Sequence, residues 1–554
     1  MKQSLALLIT LCVAAPLLAQ SKTRYLISMR TPAGKSALRI VSDAAGAGAH
    51  DVRTFSNLDF FAADLTEAEA AALQKSSDVR YLSPVIERSV EVIDMPRLQP
   101  GSEARSSHIQ TVPYGIDLVH ARDVWPVTRG KGTVNVVVID TGIDYTHPDL
   151  KAAYAGGYNV FTQTNDPKDD HGHGTHVAGI IAAADNDFGV VGVAPEVRLW
   201  SVKVLDANGR GTDETVMAGL DWVISKKHEN GGNWIVNLSL GATSPSPAER
   251  TAFARAIDET ILVVAAAGNR AFAVLDYPAA YDRVVAVSAI DADSQIAEFS
   301  SYGDGTVFAA PGVNVLSSVP VGSVEVGEVF TDPNTTFNNV YPLTGAAMGE
   351  VTAATVYCGY GKTTEIPTEV KGKIALIRRY GPNNEQILFR DKAKNALAAG
   401  AAGVVIVPPA EDGGRRGWTL YAEAGDSSFQ FPIVVSVNPV DGANLVANAG
   451  KQPITISHST DDYGRLSGTS MATPHVAGVA ALAWSVAPDA TAEQIRLALK
   501  LSAFDLGTKG YDVQFGYGRI DALAGAKYVD PAAYGLPPTN PPVPTRRRPS
   551  SPHH

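Results

Sequence analysis

Apolar positions change their spacing several times along the chain, and the changes mark its parts. The opening MKQSLALLITLCVAAPLLAQS sets Lys2 ahead of an apolar stretch from Leu5 to Ala15 and a small-residue exit at Leu17-Leu18-Ala19. This pattern predicts a secretory signal peptide over residues 1–20, shorter than the ~20 apolar residues of a membrane span. Residues 22–92 then alternate strand-like and helical runs. TRYLISMR predicts a strand, LTEAEAAALQKS a helix capped by Thr66, and VRYLSPVIERSV a further strand. MPRLQPGSEARSS, with Pro, Gly and Ser and little apolar content, follows as a linker.

From about residue 110 the apolar runs become nearly continuous: VNVVVID, VRLWSVKVL, WIVNLSL, ILVVAAAGN and VVAVSAID. Such runs fit strands buried on both faces, and helical stretches such as TDETVMAGLDWVISKKH and PAERTAFARAIDE lie between them. The fold class is α/β, a mainly parallel sheet with helices on both faces. TAEQIRLALKLS opens with a capping box, Thr491 with Gln494. Residues 322–456, with strands KIALIRR, AGVVIV and FPIVVSV around the helix QILFRDKAKNALAA, form an inserted unit. GLPPTNPPVPTRRRPSSPHH is too rich in Pro to pack. The expected division is thus 1–20, 21–105 (a small α+β unit and linker), 106–321, 322–456 (an α/β insert), 457–530 and a disordered 531–554.

Composition narrows the function. The 554 residues carry 46 Lys+Arg against 57 Asp+Glu, a net charge of −11, with 45% hydrophobic residues. This is a globular chain, and its acidic balance argues against nucleic acid as a partner. Of the two cysteines, Cys12 lies in the segment expected to be removed, which leaves Cys358 without an intrachain partner.

Three segments carry candidate chemistry. In VVVIDTGIDYTHPDL, Asp140 ends a buried strand, the edge of an α/β sheet where ligands collect; alone, it reads equally as a turn cap. DDHGHGTHVAGIIAA offers His171, His173 and His176. A zinc site is the weaker reading, since neither a nearby Cys nor H-E-x-x-H is present. His173 between two glycines suits catalysis. In YGRLSGTSMATPHVAGVAALAW, Ser470 starts an apolar helix, whose free N–H groups suit an oxyanion beside a nucleophile; alone, it reads as an N-cap.

Taken together, Asp140, His173 and Ser470 in the wrappers VVVIDTGID, HGHGTHVAG and GTSMATPHVAG resemble the subtilisin-like serine proteases, from about Gln110 to Lys527 apart from the insert. The resemblance implies a secreted, monomeric endopeptidase made as a zymogen. Ser470 would be the nucleophile, His173 the base, Asp140 its orienting partner, and Asn269 of VVAAAGN the oxyanion donor. It places extended protein or peptide substrates along Ser239, Leu240 and Gly241, and walls the primary pocket with Ala266, Ala267 and Gly268. Asp276 would draw basic side chains unless Arg270 neutralises it. A Ca²⁺ site is implied on Gln110, Asp149 and Asn186 and the carbonyls of Ala184, Phe188 and Val190, all oxygen ligands. Residues 22–92 resemble the family's inhibitory propeptide, and 322–456 its protease-associated (PA) domain. Neither nucleic acid nor membrane is expected as a partner. A non-catalytic binding protein is the second reading, opposed by the intact set of four.

Overall fold

A computed structural model describes residues 21–30, 39, 51–90, 99–100, 110–132, 134–332, 335–337, 340–381, 385–409, 420 and 429–537. The expected signal peptide and the end of the Pro-rich tail lie outside these residues.

The central sheet has seven strands, all paired in parallel. Their order is Thr306–Pro311, Val285–Ile290, Ile261–Ala266, Asn233–Leu238, Val134–Asp140, Arg198–Lys203 and Tyr154–Asn159. Alternate residues of one strand serve opposite cores. Val136 and Val138 face the cluster under the Thr469–Val486 helix, while Val137 and Ile139 face the one under Asp213–Asn230 and Pro247–Asp258. Burial on both sides is why five of these strands read as nearly continuous apolar runs.

The Thr469–Val486 helix is buried along residues 469–484 and packs on the His173–Ala182 helix and the middle of the sheet. Small residues permit that approach. The capping box of Thr491 and Gln494 forms as the sequence predicts.

The N-terminal unit is an antiparallel sheet in the order Val52–Thr54, Phe60–Leu65, Thr23–Met29, Val79–Pro84, with a Glu67–Leu73 helix capped by Thr66 and Glu69. One sheet face packs on that helix. Leu26, Phe60 and Ala62 on the other join the core of the large domain. Arg24 pairs with Glu214 at 2.8 Å, and the N–H groups of Ser56 and Asn57 donate to Asp221 at 2.8 and 2.6 Å.

The single strand expected over VRYLSPVIERSV is instead two. After Pro84 the backbone leaves its sheet: Ile86 N–H donates to Asp213 Oδ1 at 3.0 Å, and Ile86 C=O accepts from Asp213 N–H at 2.9 Å. Glu87–Ser89 then pairs antiparallel with Arg210–Thr212.

The insert is entered and left through adjacent antiparallel strands, Val324–Asp332 and Pro453–Asp461, so its sheet runs beyond residue 456 to Asp461. Its parallel strands Ile374–Arg378, Gly403–Val407 and Ile433–Ser436 accompany the Phe389–Ala398 helix. Cys358 is buried there, and burial pushes its thiol up to about 12, away from the thiolate form. Residues 531–537, expected to be disordered, open instead with a short 3₁₀ turn, Pro531–Tyr534, capped by Asp530 and packed through Tyr534 on the main core.

Gly478 tests the packing of the central helix. A Cβ there would lie 2.6 Å from the Cβ of Val193. Alanine gains about 1 kcal/mol in helix propensity, but overpacking costs about 1–3 kcal/mol. Gly478→Ala is therefore expected to lower the thermal melting temperature; a rise would show that the helix has room to shift.

Candidate active site

Three elements converge at the carboxyl edge of the sheet. Asp140 ends its strand fully buried, and its Oδ1 accepts from Thr141 N–H and lies 2.7 Å from His173 Nδ1. His173 is the first residue of its helix, after Gly172 at φ +105°, a conformation that suits glycine. The next residue, Gly174, lies so close to the loop after the Asp140 strand that a Cβ would meet Gly142 O at 2.1 Å.

Ser470 occupies the first turn of its helix behind Gly468. Its Oγ donates to Ser239 O at 3.0 Å, and Ser239 Oγ donates back to Ser470 O at 2.7 Å. Ser239 is thus a clamp on the Ser470 backbone, a role its position in the sequence did not suggest. Asn269 Oδ1 accepts from Thr469 N–H at 2.8 Å and Thr469 Oγ1 at 2.9 Å, which fixes its amide plane next to Ser470.

Leu240, Gly241, Ala266, Gly268, Asn269, Asp276, Thr469 and Ser470 line one cavity, so the expected pocket residues do come together; Ala267 is buried behind it. Gly268 has φ +108°, and a Cβ on it would lie 2.3 Å from Asp276 Oδ2. Asp276 does not present a bare carboxylate. The Arg270 guanidinium pairs with it, the neutralised one of the two arrangements the sequence left open.

Outside the cavity, Gln110, Asp149, Ala184, Asn186 and Val190 also meet. Gln110 Nε2 lies 2.6 Å from Ala184 O, 3.1 Å from Val190 O and 3.4 Å from Asn186 Oδ1. Asn186 Nδ2 donates to Asp149 Oδ1 at 2.9 Å, and burial raises the Asp149 carboxyl above its usual range. Neutral oxygens around one point, beside a buried carboxylate, suit a hard cation once the Gln110 amide turns its oxygen inward. Phe188 shares the loop, but no contact places its carbonyl in this cluster.

Sequence reading missed Asp169. It is buried, accepts from Thr141 Oγ1 at 2.9 Å, and accepts from both the N–H and hydroxyl of Thr175, at 2.9 and 2.6 Å. Thr141 Oγ1 in turn accepts from Gly174 N–H at 2.9 Å. Asp169 thereby ties the strand of Asp140 to the helix of His173. Its one signal was an Asp just ahead of the histidines, which is usually a surface turn residue. His176 faces away from this centre, its Nε2 3.1 Å from the carbonyls of Val315 and Gly464.

Comparison with known proteins agrees with this geometry. The model of the Subtilase family matches residues 130–356 and 378–518, more than half the chain. The chain belongs to that family. It is 42% identical over 294 residues to subtilisin BL of Lederbergia lenta, covering 52% of this chain and 93% of that protein. It is 31% identical over 387 residues to minor extracellular protease Epr of Bacillus subtilis, covering 69% of this chain but only 52% of that one. Among solved structures, the psychrophilic subtilisin-like protease Apa1 of Pseudoalteromonas sp. AS-11 superposes with a TM-score of 0.50 at 33% identity, covering 76% of this chain and 99% of that one. Similarity to these proteases supports a serine endopeptidase.

His475, five residues past Ser470, gives the site's helix a pH dependence. It is buried, its Nδ1 lies 2.8 Å from Met471 O, and burial pushes it down to about 4; His176 is pushed down to about 3 likewise. A histidine buried neutral stabilises fully above its unfolded pKa of about 6.5, and that stability is lost as pH falls below it. Between pH 7 and 5 His475 is expected to cost about 2 kcal/mol. Denaturant titrations at the two pH values test this, and His475→Gln should show the shallower loss. Equal slopes would refute it.

Proposed function

We propose that this chain is a secreted serine endopeptidase, made as a zymogen and working through an acyl-enzyme on Ser470. The observation that carries the reading is the buried 2.7 Å contact of His173 Nδ1 with Asp140, with Ser470 in the first turn of the buried helix that packs on the His173 helix. Ser470 Oγ rotates from Ser239 O and attacks the scissile carbonyl. His173 Nε2 takes its proton and delivers it to the leaving amine, while Asp140 holds the tautomer and stabilises the imidazolium. Asn269 Nδ2 and the Ser470 N–H receive the oxyanion.

The N-terminal unit acts as the intramolecular inhibitor. Ser89 N–H donates to Gly241 O at 3.3 Å and Gly241 N–H to Ser89 O at 3.0 Å, while Val90 N–H reaches Gly209 O at 3.1 Å. This is the main-chain pairing expected of an extended substrate on Ser239-Leu240-Gly241. With Arg270 on Asp276, the primary pocket has no evident bias towards basic residues. The insert serves as a PA-like domain.

Self-processing is tested by intact mass and N-terminal sequence of wild type beside Ser470→Ala. Loss of roughly the first hundred residues in wild type alone is the expected result. Two full-length products would overturn the zymogen reading, and equal trimming of both would assign the cut to another protease.

The oxygens around Gln110 are proposed to hold a structural Ca²⁺ through Gln110, Asp149, Asn186 and the carbonyls of Ala184 and Val190, with the Phe188 carbonyl added by family resemblance alone. Chelation is expected to lower the melting temperature of wild type, with Ca²⁺ restoring it, and to leave Asp149→Asn unmoved. A wild-type melt indifferent to chelator and Ca²⁺ would remove the ion.

A further inference from the structure

Arg88 is buried in the large domain although it belongs to the N-terminal unit. Its side chain and that of Glu249 are both 0% exposed, with Nε 3.1 Å from Oε1 and Nη2 2.8 Å from Oε2. Two more of its donors are used: Nη1 donates to Glu87 O at 2.9 Å, and Nη2 also reaches Ser244 O at 3.3 Å. Charges taken out of water hold where a bidentate fork and added hydrogen bonds meet them, as here.

Glu249 is set up for such a partner. Ser246-Pro247-Ala248-Glu249 has the S-x-x-E spacing of a capping box, and Ser246 Oγ does accept from Glu249 N–H at 3.2 Å. The return bond is missing, because Ser246 N–H donates to the Tyr281 hydroxyl at 2.8 Å instead. That leaves the Glu249 carboxylate facing Arg88, with the Tyr281 hydroxyl 2.9 Å from Oε2.

Arg88 is placed there by the groove. It is the middle residue of Glu87–Ser89, opposite Gly211, and the next residue, Ser89, makes both main-chain bonds to Gly241. The geometry points to a second specificity pocket, built from Glu249, Tyr281 and the Ser244 carbonyl, that selects arginine in a peptide substrate at the position just N-terminal to the residue paired with Gly241. This rests on the peptidase reading above. When the N-terminal unit leaves, Glu249 becomes a buried carboxylate without its cation, and a substrate guanidinium restores the fork. Lysine, a point charge without the planar fork, restores less of it.

The test is digestion of a proteome-derived peptide library with the purified wild-type enzyme and with Glu249→Gln, followed by identification of all cut sites. Arginine enriched about tenfold or more at one fixed position upstream of the scissile bond, above lysine and absent for Glu249→Gln, is the expected result. The wild-type digest decides by itself if the variant fails to fold. Abundant cuts without arginine enrichment would overturn the pocket while leaving the peptidase intact. No cuts at all would overturn the peptidase reading and the pocket with it.

Discussion

Charge buried at the carboxyl edge of a parallel sheet must be met by fixed partners, and much of this molecule is arranged to supply them. Asp140 is wholly out of water, so Thr141 N–H and His173 must both stay within bonding distance. That requirement propagates. Thr141 is held by Asp169, Asp169 also ties down Thr175, and the His173 helix can approach only because residue 174 lacks a Cβ. Ser470 depends on the same packing from the other side, through its exchange of hydrogen bonds with Ser239.

The docking of the N-terminal unit follows the same physics with a different balance. Its apolar face, Leu26, Phe60 and Ala62, supplies area, and Glu214 and Asp221 supply anchors for Arg24 and for two backbone N–H groups. Asp213 then takes over the backbone of Ile86 and steers the chain off its own sheet and into the groove. The segment that lies along Gly241 is therefore positioned by three carboxylates of one helix as well as by pairing with Arg210–Thr212.

Legibility in the sequence tracked how local each determinant is. Five of the seven central strands were readable because burial on both faces leaves mostly Val, Ile, Leu and Ala. The cap at Thr66 and the capping box at Thr491 were readable because they close within four residues. VRYLSPVIERSV was read as one strand because nothing local shows that Asp213, more than a hundred residues on, competes for Ile86. That the insert's sheet runs on to Asp461 was not readable, since the pairing of Val324–Asp332 with Pro453–Asp461 joins distant segments. Asp169 went unnoticed because a buried tie and a surface turn residue look alike in sequence.

By itself, the sequence determined the α/β class, the family, and which residue types stand at Asp140, His173, Asn269 and Ser470, because those depend on short wrappers and on the period of apolar positions. Tertiary structure alone decided which charges meet. Arg270 and Asp276 are six residues apart and had two open arrangements until the fold brought them together. Glu249 belongs to a spacing that predicts a capping box, yet Tyr281 displaced its return bond and left the carboxylate to Arg88. Which partner a charged side chain takes is set by the low dielectric and close packing around it, and both exist only after the chain has folded.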